Sequence, residues 1–140
     1  MIDIENIIYT TLKKVLVNEC KLNPQFISTE IVLKPKNYPW VTIIEMMNIP
    51  YSKTQTNDDI ENHAEVVYEI NVYTNDKNGK KSRCKKIIST VDTKMKNLGF
   101  RRIMLSPIPN ANDPTIYRII ARYEAIVSKE NKEKYTIYRR

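Results

Sequence analysis

Between Asn75 and Phe100 the chain carries a spacing that constrains the rest. Cys84, Ile87, Ile88, Val91, Met95 and Leu98 recur at i, i+3, i+4 intervals, the period of a single helical stripe. At about 100° per residue they share an arc of roughly 100°, the width of a face turned toward a core. The positions around them are polar and mostly basic: Lys80, Lys81, Arg83, Lys85, Lys86, Lys94 and Lys96, against Asp92 alone. Asn78-Gly79 opens the segment. Leu98-Gly99 closes it, with the glycine placed for the left-handed backbone that ends a helix. The spacing predicts one helix with an apolar face for a sheet and a basic face for water or for a partner.

The other elements follow from the same rules. Ile4, Ile7, Ile8, Leu12, Val15 and Leu16 make a second stripe, so a helix is expected from Asp3, its N-cap, to about Asn18. Asn23-Pro24 stops it. A short strand is expected over Phe26–Leu33, then a stiff turn through Pro35 and Pro39. Trp40–Ile49 reads as a strand with Trp40, Thr42, Ile44 and Met46 on one face and Val41, Ile43, Glu45 and Met47 on the other. Both faces are largely apolar, which calls for cover on both sides. Residues 50–61 are polar and read as a long loop. Asn62–Thr74 alternates as the longest strand. Phe100–Ile108 and Thr115–Ser128 form an expected antiparallel hairpin with a proline-stiffened tip. The plan is α+β: a mostly antiparallel sheet of 4–5 strands with two helices packed on one face. Residues 1–128 make one domain, and residues 129–140 make a charged arm ending in Tyr135-Thr136-Ile137-Tyr138. The arm lies beyond the expected core and is suited to adding a strand to a neighbour's sheet.

Length fits this plan, since 140 residues bury enough surface to need no metal or disulfide staple. Charge is the second constraint. The net charge is +7, but it is unevenly placed. Residues 1–76 carry 6 basic and 11 acidic side chains, and residues 77–102 carry 10 and 1. A bipolar chain binds polyanions, or binds copies of itself head to tail. The N-terminus lacks the basic and apolar regions of a signal peptide. Apolar runs are too short to span a membrane, so no membrane partner is expected.

Candidate chemistry is sparse. His63 is the single histidine; Asp58, Asp59, Glu61 and Glu65 lie near it, but no second histidine or cysteine stands at ligand spacing. It is expected to face solvent, and no metal or cofactor is expected. Cys84 sits on an apolar stripe, where burial makes a thiol inert. Neither Cys20 nor Cys84 belongs to a CxxC pair. No P-loop, GxSxG, HExxH or EF-hand spacing occurs, and a non-enzyme is expected. The basic helix remains. Lysines in its first turns oppose the helix dipole, and an anionic partner would offset that. Three readings stay open for it: a solvated face, an interface with an acidic protein surface, and nucleic acid. The candidate interface residues are Lys81, Arg83, Lys85 and Lys86 of the helix, Trp40, Asp58, Asp59, Tyr135 and Tyr138.

One resemblance spans residues 1–128. Tyr38-Pro39-Trp40-Val41-Thr42 is followed by the strand Glu65-Val66-Val67-Tyr68-Glu69-Ile70-Asn71-Val72-Tyr73-Thr74-Asn75. Then come the basic helix with Val91-Asp92 and Met95, Leu98-Gly99-Phe100-Arg101-Arg102, Pro109-Asn110, Thr115-Ile116-Tyr117-Arg118 and Ala121-Arg122-Tyr123-Glu124-Ala125. This order resembles the tail terminator (tail-completion, minor tail or head–tail joining) proteins of long-tailed bacteriophages. The resemblance implies a subunit that closes into a homohexameric ring, caps the tail tube and joins it to the neck. It implies as partners other copies of the chain, the tail tube protein and the neck or head-completion protein, with DNA passing through the lumen. It places the protein in the virion. The alternatives are a head-completion or neck protein of the same particle, or a DNA-binding accessory protein using the basic helix 79–98.

Overall fold

The computed structural model describes residues 1–50, 63–109, 113–129 and 135–138. Its elements are α1 (Glu5–Cys20), a 3-10 turn (Pro24–Phe26), β1 (Ile27–Ser28), β2 (Trp40–Pro50), β3 (His63–Thr74), α2 (Lys80–Leu98), β4 (Arg101–Ile108), β5 (Tyr117–Lys129) and β6 (Tyr135–Tyr138). The strands form one sheet in the order β1-β2-β3-β5-β4, with β6 paired to β5. All pairings are antiparallel except β1 with β2. The α+β expectation holds, with six strands rather than 4–5.

Pairing explains where α2 lies. Both β3 and β4 run antiparallel to β5, so they run parallel to each other, one strand apart. A parallel return needs a crossover, usually a helix. The helix α2 supplies it, carrying the chain across the sheet over β5. Its stripe residues Cys84, Ile87, Ile88, Val91 and Met95 are buried. They meet Val66, Tyr68, Ile70 and Val72 of β3 and Ile119, Ala121, Tyr123 and Ala125 of β5 in one core. The helix α1 packs beside α2 and adds Ile8, Leu12 and Leu16 to the same core. Cys20 Sγ donates to Thr90 Oγ1 at 3.5 Å, a link between the two helices.

Gly99 ends α2 at φ +106°, and its N–H donates to the Lys96 carbonyl at 3.0 Å. It has a second reason to be glycine. A Cβ there would stand 2.6 Å from the Ile137 carbonyl oxygen of β6. The strand β4 pairs with β5 over Arg118–Glu124 and β6 pairs with it over Ile126–Lys129, while β3 runs along the whole other side. The C-terminal strand therefore extends the β4 row of its own sheet, beneath the end of α2. Expected as an arm outside the core, it packs instead on its own domain, with Tyr135 and Ile137 against the core.

Three local expectations need correction. The strand predicted over Phe26–Leu33 is reduced to Ile27–Ser28; Ser28 Oγ accepts the Glu30 N–H at 3.0 Å and turns the chain out of the ladder. The N-cap of α1 is Ile4, not Asp3, although Asp3 Oδ1 still accepts the Glu5 N–H at 3.0 Å. In β2 the alternation breaks at a bulge between Glu45 and Met47. One extra residue flips every later side chain to the other face. Met47 therefore shares the face of Trp40, Thr42 and Ile44, and Asn48 joins the helix-covered side, donating to the Ile2 carbonyl at 2.7 Å.

Candidate subunit interface

A trough runs between α2 and the edge strand β4. Its volume is about 410 Å³. Lys81, Lys85, Ser89 and Asp92 line the helix side, four or three residues apart on one stripe, and Arg102, Leu105 and Pro107 line the strand side. Ile88 and Ile119, both nearly buried, make part of the floor. Lys81 and Lys85 are exposed and meet no acid among the described residues.

Asp92 does not neutralise them because it is already engaged. Lys96 Nζ lies 2.9 Å and Arg102 Nη1 3.3 Å from its carboxylate. Tyr123 Oη donates to Asp92 Oδ1 at 3.0 Å. Burial opposes its charge, but the hydrogen bonds from Lys96 and Tyr123 and the positive field of Arg102 outweigh it, and its pKa falls below the ordinary carboxylate value. On the other side of α2, Arg83 pairs with Asp76 at 3.2 Å. The N-terminus of α2 has no side-chain cap: Gly79 fills the N-cap position at φ +82°.

Exposed apolar side chains gather on two opposite flanks of the sheet. Ile31 (76 % exposed), Leu33 (96 %), Met46 (48 %) and Ile49 (45 %) lie beside β1 and β2. Ile103 and Leu105 lie on β4. Three strand intervals separate β2 from β4, about 14 Å at the usual spacing. The short β1 pairs only with Val41 and Thr42, so most of the outer edge of β2 carries no partner strand among the described residues. The outer edge of β4 likewise carries no partner strand among the described residues. It is interrupted by a bulge at Ile103 and by Pro107, features that restrain indiscriminate strand pairing.

The sheet face away from the helices is polar at its centre. Arg122 Nε donates to Glu69 Oε2 at 2.8 Å, Asn71 Nδ2 to Glu69 Oε1 at 3.0 Å, and Arg118 Nη2 to Asn71 Oδ1 at 2.7 Å. The Arg118 guanidinium stands 5.2 Å from the centre of the Tyr73 ring. Tyr73 Oη donates to the Val32 carbonyl at 3.5 Å, tying the segment after β1 across this face.

The residues singled out in the sequence scatter. Lys81 and Lys85 come together in the trough, Arg83 turns to Asp76, and Lys86 is exposed outside the trough lining. Trp40 stacks on Phe26 of its own subunit, ring centres 5.6 Å apart, with its buried Nε1 lacking a hydrogen-bond partner among the described residues. Tyr135 is half-buried on the core and Tyr138 is 48 % exposed at the end of β6. Asp58 and Asp59, like the expected 50–61 loop after Pro50, lie outside the described residues. His63, expected in solvent, is half-buried opposite Ser128. Sequence reasoning overlooked Arg102, Leu105 and Pro107; a proline inside a strand pattern was the available signal, because it marks an edge.

Cys84 is buried and donates to the Val72 carbonyl at 3.4 Å. Burial pushes its thiol up to about 12, against smaller opposing effects of Thr74 and Ile119. The described residues contain no group of three or more His, Cys, Asp or Glu that could hold a metal ion. No described helix is long and apolar enough to cross a membrane. No family model and no curated protein matches the chain.

Proposed function

We propose that the chain is a structural subunit that joins head to tail into a closed ring, and that the ring is a tail terminator of a long-tailed phage particle. One observation carries this: a single subunit presents two unlike apolar flanks on opposite sides of its sheet, at Met46 and Ile49 and at Ile103 and Leu105. A symmetric dimer needs one self-complementary patch, whereas two different patches produce rings or open filaments. Charge supports the same arrangement, because the acidic first half and the basic α2 are present in every copy. The resemblance over residues 1–128 selects the closed ring of about six subunits, bound to the tail tube on one side and the neck on the other. Its action is stoichiometric binding, without a reaction.

The test uses one flank at a time. Met46→Glu with Ile49→Glu alters one flank, and Ile103→Glu with Leu105→Glu alters the other. Light scattering is expected to give a ring for the unaltered protein and the 16.5 kDa subunit for each variant alone. Mixed, the two variants retain one good flank each and stop at a dimer. Rings from either variant alone would overturn head-to-tail closure.

A second reading is favoured by the exposed Lys81, Lys85 and Lys86: a DNA-binding accessory protein. It predicts a monomer whose affinity for duplex DNA falls steeply with salt. A head-completion ring of the same particle differs only in which ring it contacts, which imaging of the assembled particle separates.

A further inference from the structure

We propose that the outer edge of β2 in one copy pairs with the outer edge of β4 in the next, antiparallel and with Glu45 opposite Arg102, so that one sheet runs on from subunit to subunit; this rests on the head-to-tail reading above. Strand direction allows it. Strand β2 runs antiparallel to β3, β3 to β5 and β5 to β4, so β2 and β4 of one subunit point opposite ways. Neighbours in a ring are related by rotation alone. With strands along the ring axis, β2 meets a β4 of opposite direction, the more stable pairing. It also meets it level, because a rotation adds no rise.

The pairing within the subunit defines what is level. Followed across β3 and β5, it puts Val41 on the row of Pro107, Ile44 on that of Met104, Glu45 on that of Arg102 and Met47 on that of Arg101. Along these rows the two edges match in three ways. First, both are blocked at the same place: β1 occupies β2 at Val41 and Thr42, and on the Val41 row β4 has Pro107, which has no N–H to donate. From Ile43 on β2, and from Ser106 back to Arg101 on β4, both edges carry no partner strand among the described residues. Second, both are bulged beside the Glu45–Arg102 row, at Met46 on one side of it and at Ile103 on the other. Third, their charges are opposite. Glu45 and Arg102 both lie on the helix-covered side, in register with the buried Tyr68 and Tyr123. Asp3 and Glu5 lie near Glu45, and burial and then the fields of Asp3 and Glu45 hold Glu5 above the ordinary carboxylate value. Arg102 and Lys96 share one carboxylate, Asp92, which leaves positive charge in excess on their edge. Bulges and a proline that turn away an arbitrary strand thus fit this one, and the charges fix its register.

Disulfide bridging between copies tests the register. Ile44→Cys with Met104→Cys puts two thiols on one row, where opposed Cα atoms of an antiparallel pair lie about 4.5–5.5 Å apart, within reach of a disulfide. Inside one subunit the same positions stand three strand intervals apart, about 14 Å, so only neighbouring copies can be bridged. Ile49→Cys with Met104→Cys is the control, four rows out of register or about 13 Å. With oxidised glutathione, the level pair is expected to give a ladder of linked subunits in steps of 16.5 kDa on a denaturing gel. The control and the unaltered protein are expected to stay at one step. Met47→Cys with Arg101→Cys is a second level pair at the other end of the free edge, expected to give the same ladder should the first variant not fold. Bridging by the control in place of the level pairs would overturn the proposal. So would the absence of a ladder from both level pairs while light scattering shows rings, a result that spares the ring itself. An unaltered protein that stays monomeric overturns both proposals together.

Discussion

The two faces of the same sheet are held in different ways. Toward the helices, Val66, Tyr68, Ile70 and Val72 of β3 and Ala121, Tyr123 and Ala125 of β5 have no exposed surface. On the reverse face of the same strands, Glu69, Asn71, Arg118 and Arg122 form a chain of hydrogen bonds and an ion pair that water still reaches. Burial of apolar area carries most of folding, whereas partly exposed ion pairs contribute little. The helix-covered face therefore sets stability. The open face and the two flanks beside it are free to be shaped for association.

That contrast breaks most clearly in the core. Ile70→Ala removes a fully buried side chain from under α2 and is expected to cost about 3 kcal/mol, read as a lowered urea midpoint. Gly99→Ala comes next. At φ +106°, with the Ile137 carbonyl 2.6 Å from the new Cβ, it is expected to cost about 1–3 kcal/mol. It is also expected to loosen β6, read as faster proteolysis near residue 135 without loss of the rest of the fold. A smaller effect on the covered side would put its stability elsewhere than in packing.

Asp92 lies where the core meets the trough and sharpens the comparison through pH. Its folded pKa lies below the ordinary 3.8, so its contribution is complete above the unfolded value and is lost as pH falls through the folded one. Asp92→Asn is expected to cost about 1 kcal/mol at pH 7. Melting curves of the variant and the parent should converge only below the ordinary carboxylate value of 3.8. Convergence already at pH 5 would contradict the depressed pKa. Arg122→Ala on the open face is expected to cost under about 1 kcal/mol; a loss as large as that of Ile70→Ala would erase the distinction between the faces. The smallest perturbation is chemical. At pH 8 a thiol reagent is expected to modify the half-buried Cys20 and to spare Cys84, whose pKa burial raises to about 12. Equal modification rates would show that the core opens readily.

Much of the core was legible because it is periodic. The α2 stripe from Cys84 to Met95 and the even positions of β3 were readable from spacing alone, since burial is imposed by repeat. The bulge at Met46 was not, because one inserted residue leaves an apolar run that fits either register. The candidate interface was legible only in half. Lys81 and Lys85 are conspicuous as charge, but their separation from Arg83 and Lys86 depends on which side of α2 faces β4. Trp40 and Tyr135 looked available for a partner and were taken up by Phe26 and by the core of their own subunit.

The sequence alone determined the helix of residues 80–98, its apolar and basic faces, and the long alternating strands, because these follow from local periodicity and composition. The tertiary structure decided what the basic face looks onto. Only the crossing of α2 over β5, forced by the parallel relation of β3 and β4, sets two lysines beside an apolar edge strand. The same arrangement sends the C-terminal strand under Gly99, since a pairing between residues 126 and 138 is a property of the assembled sheet and of no single segment.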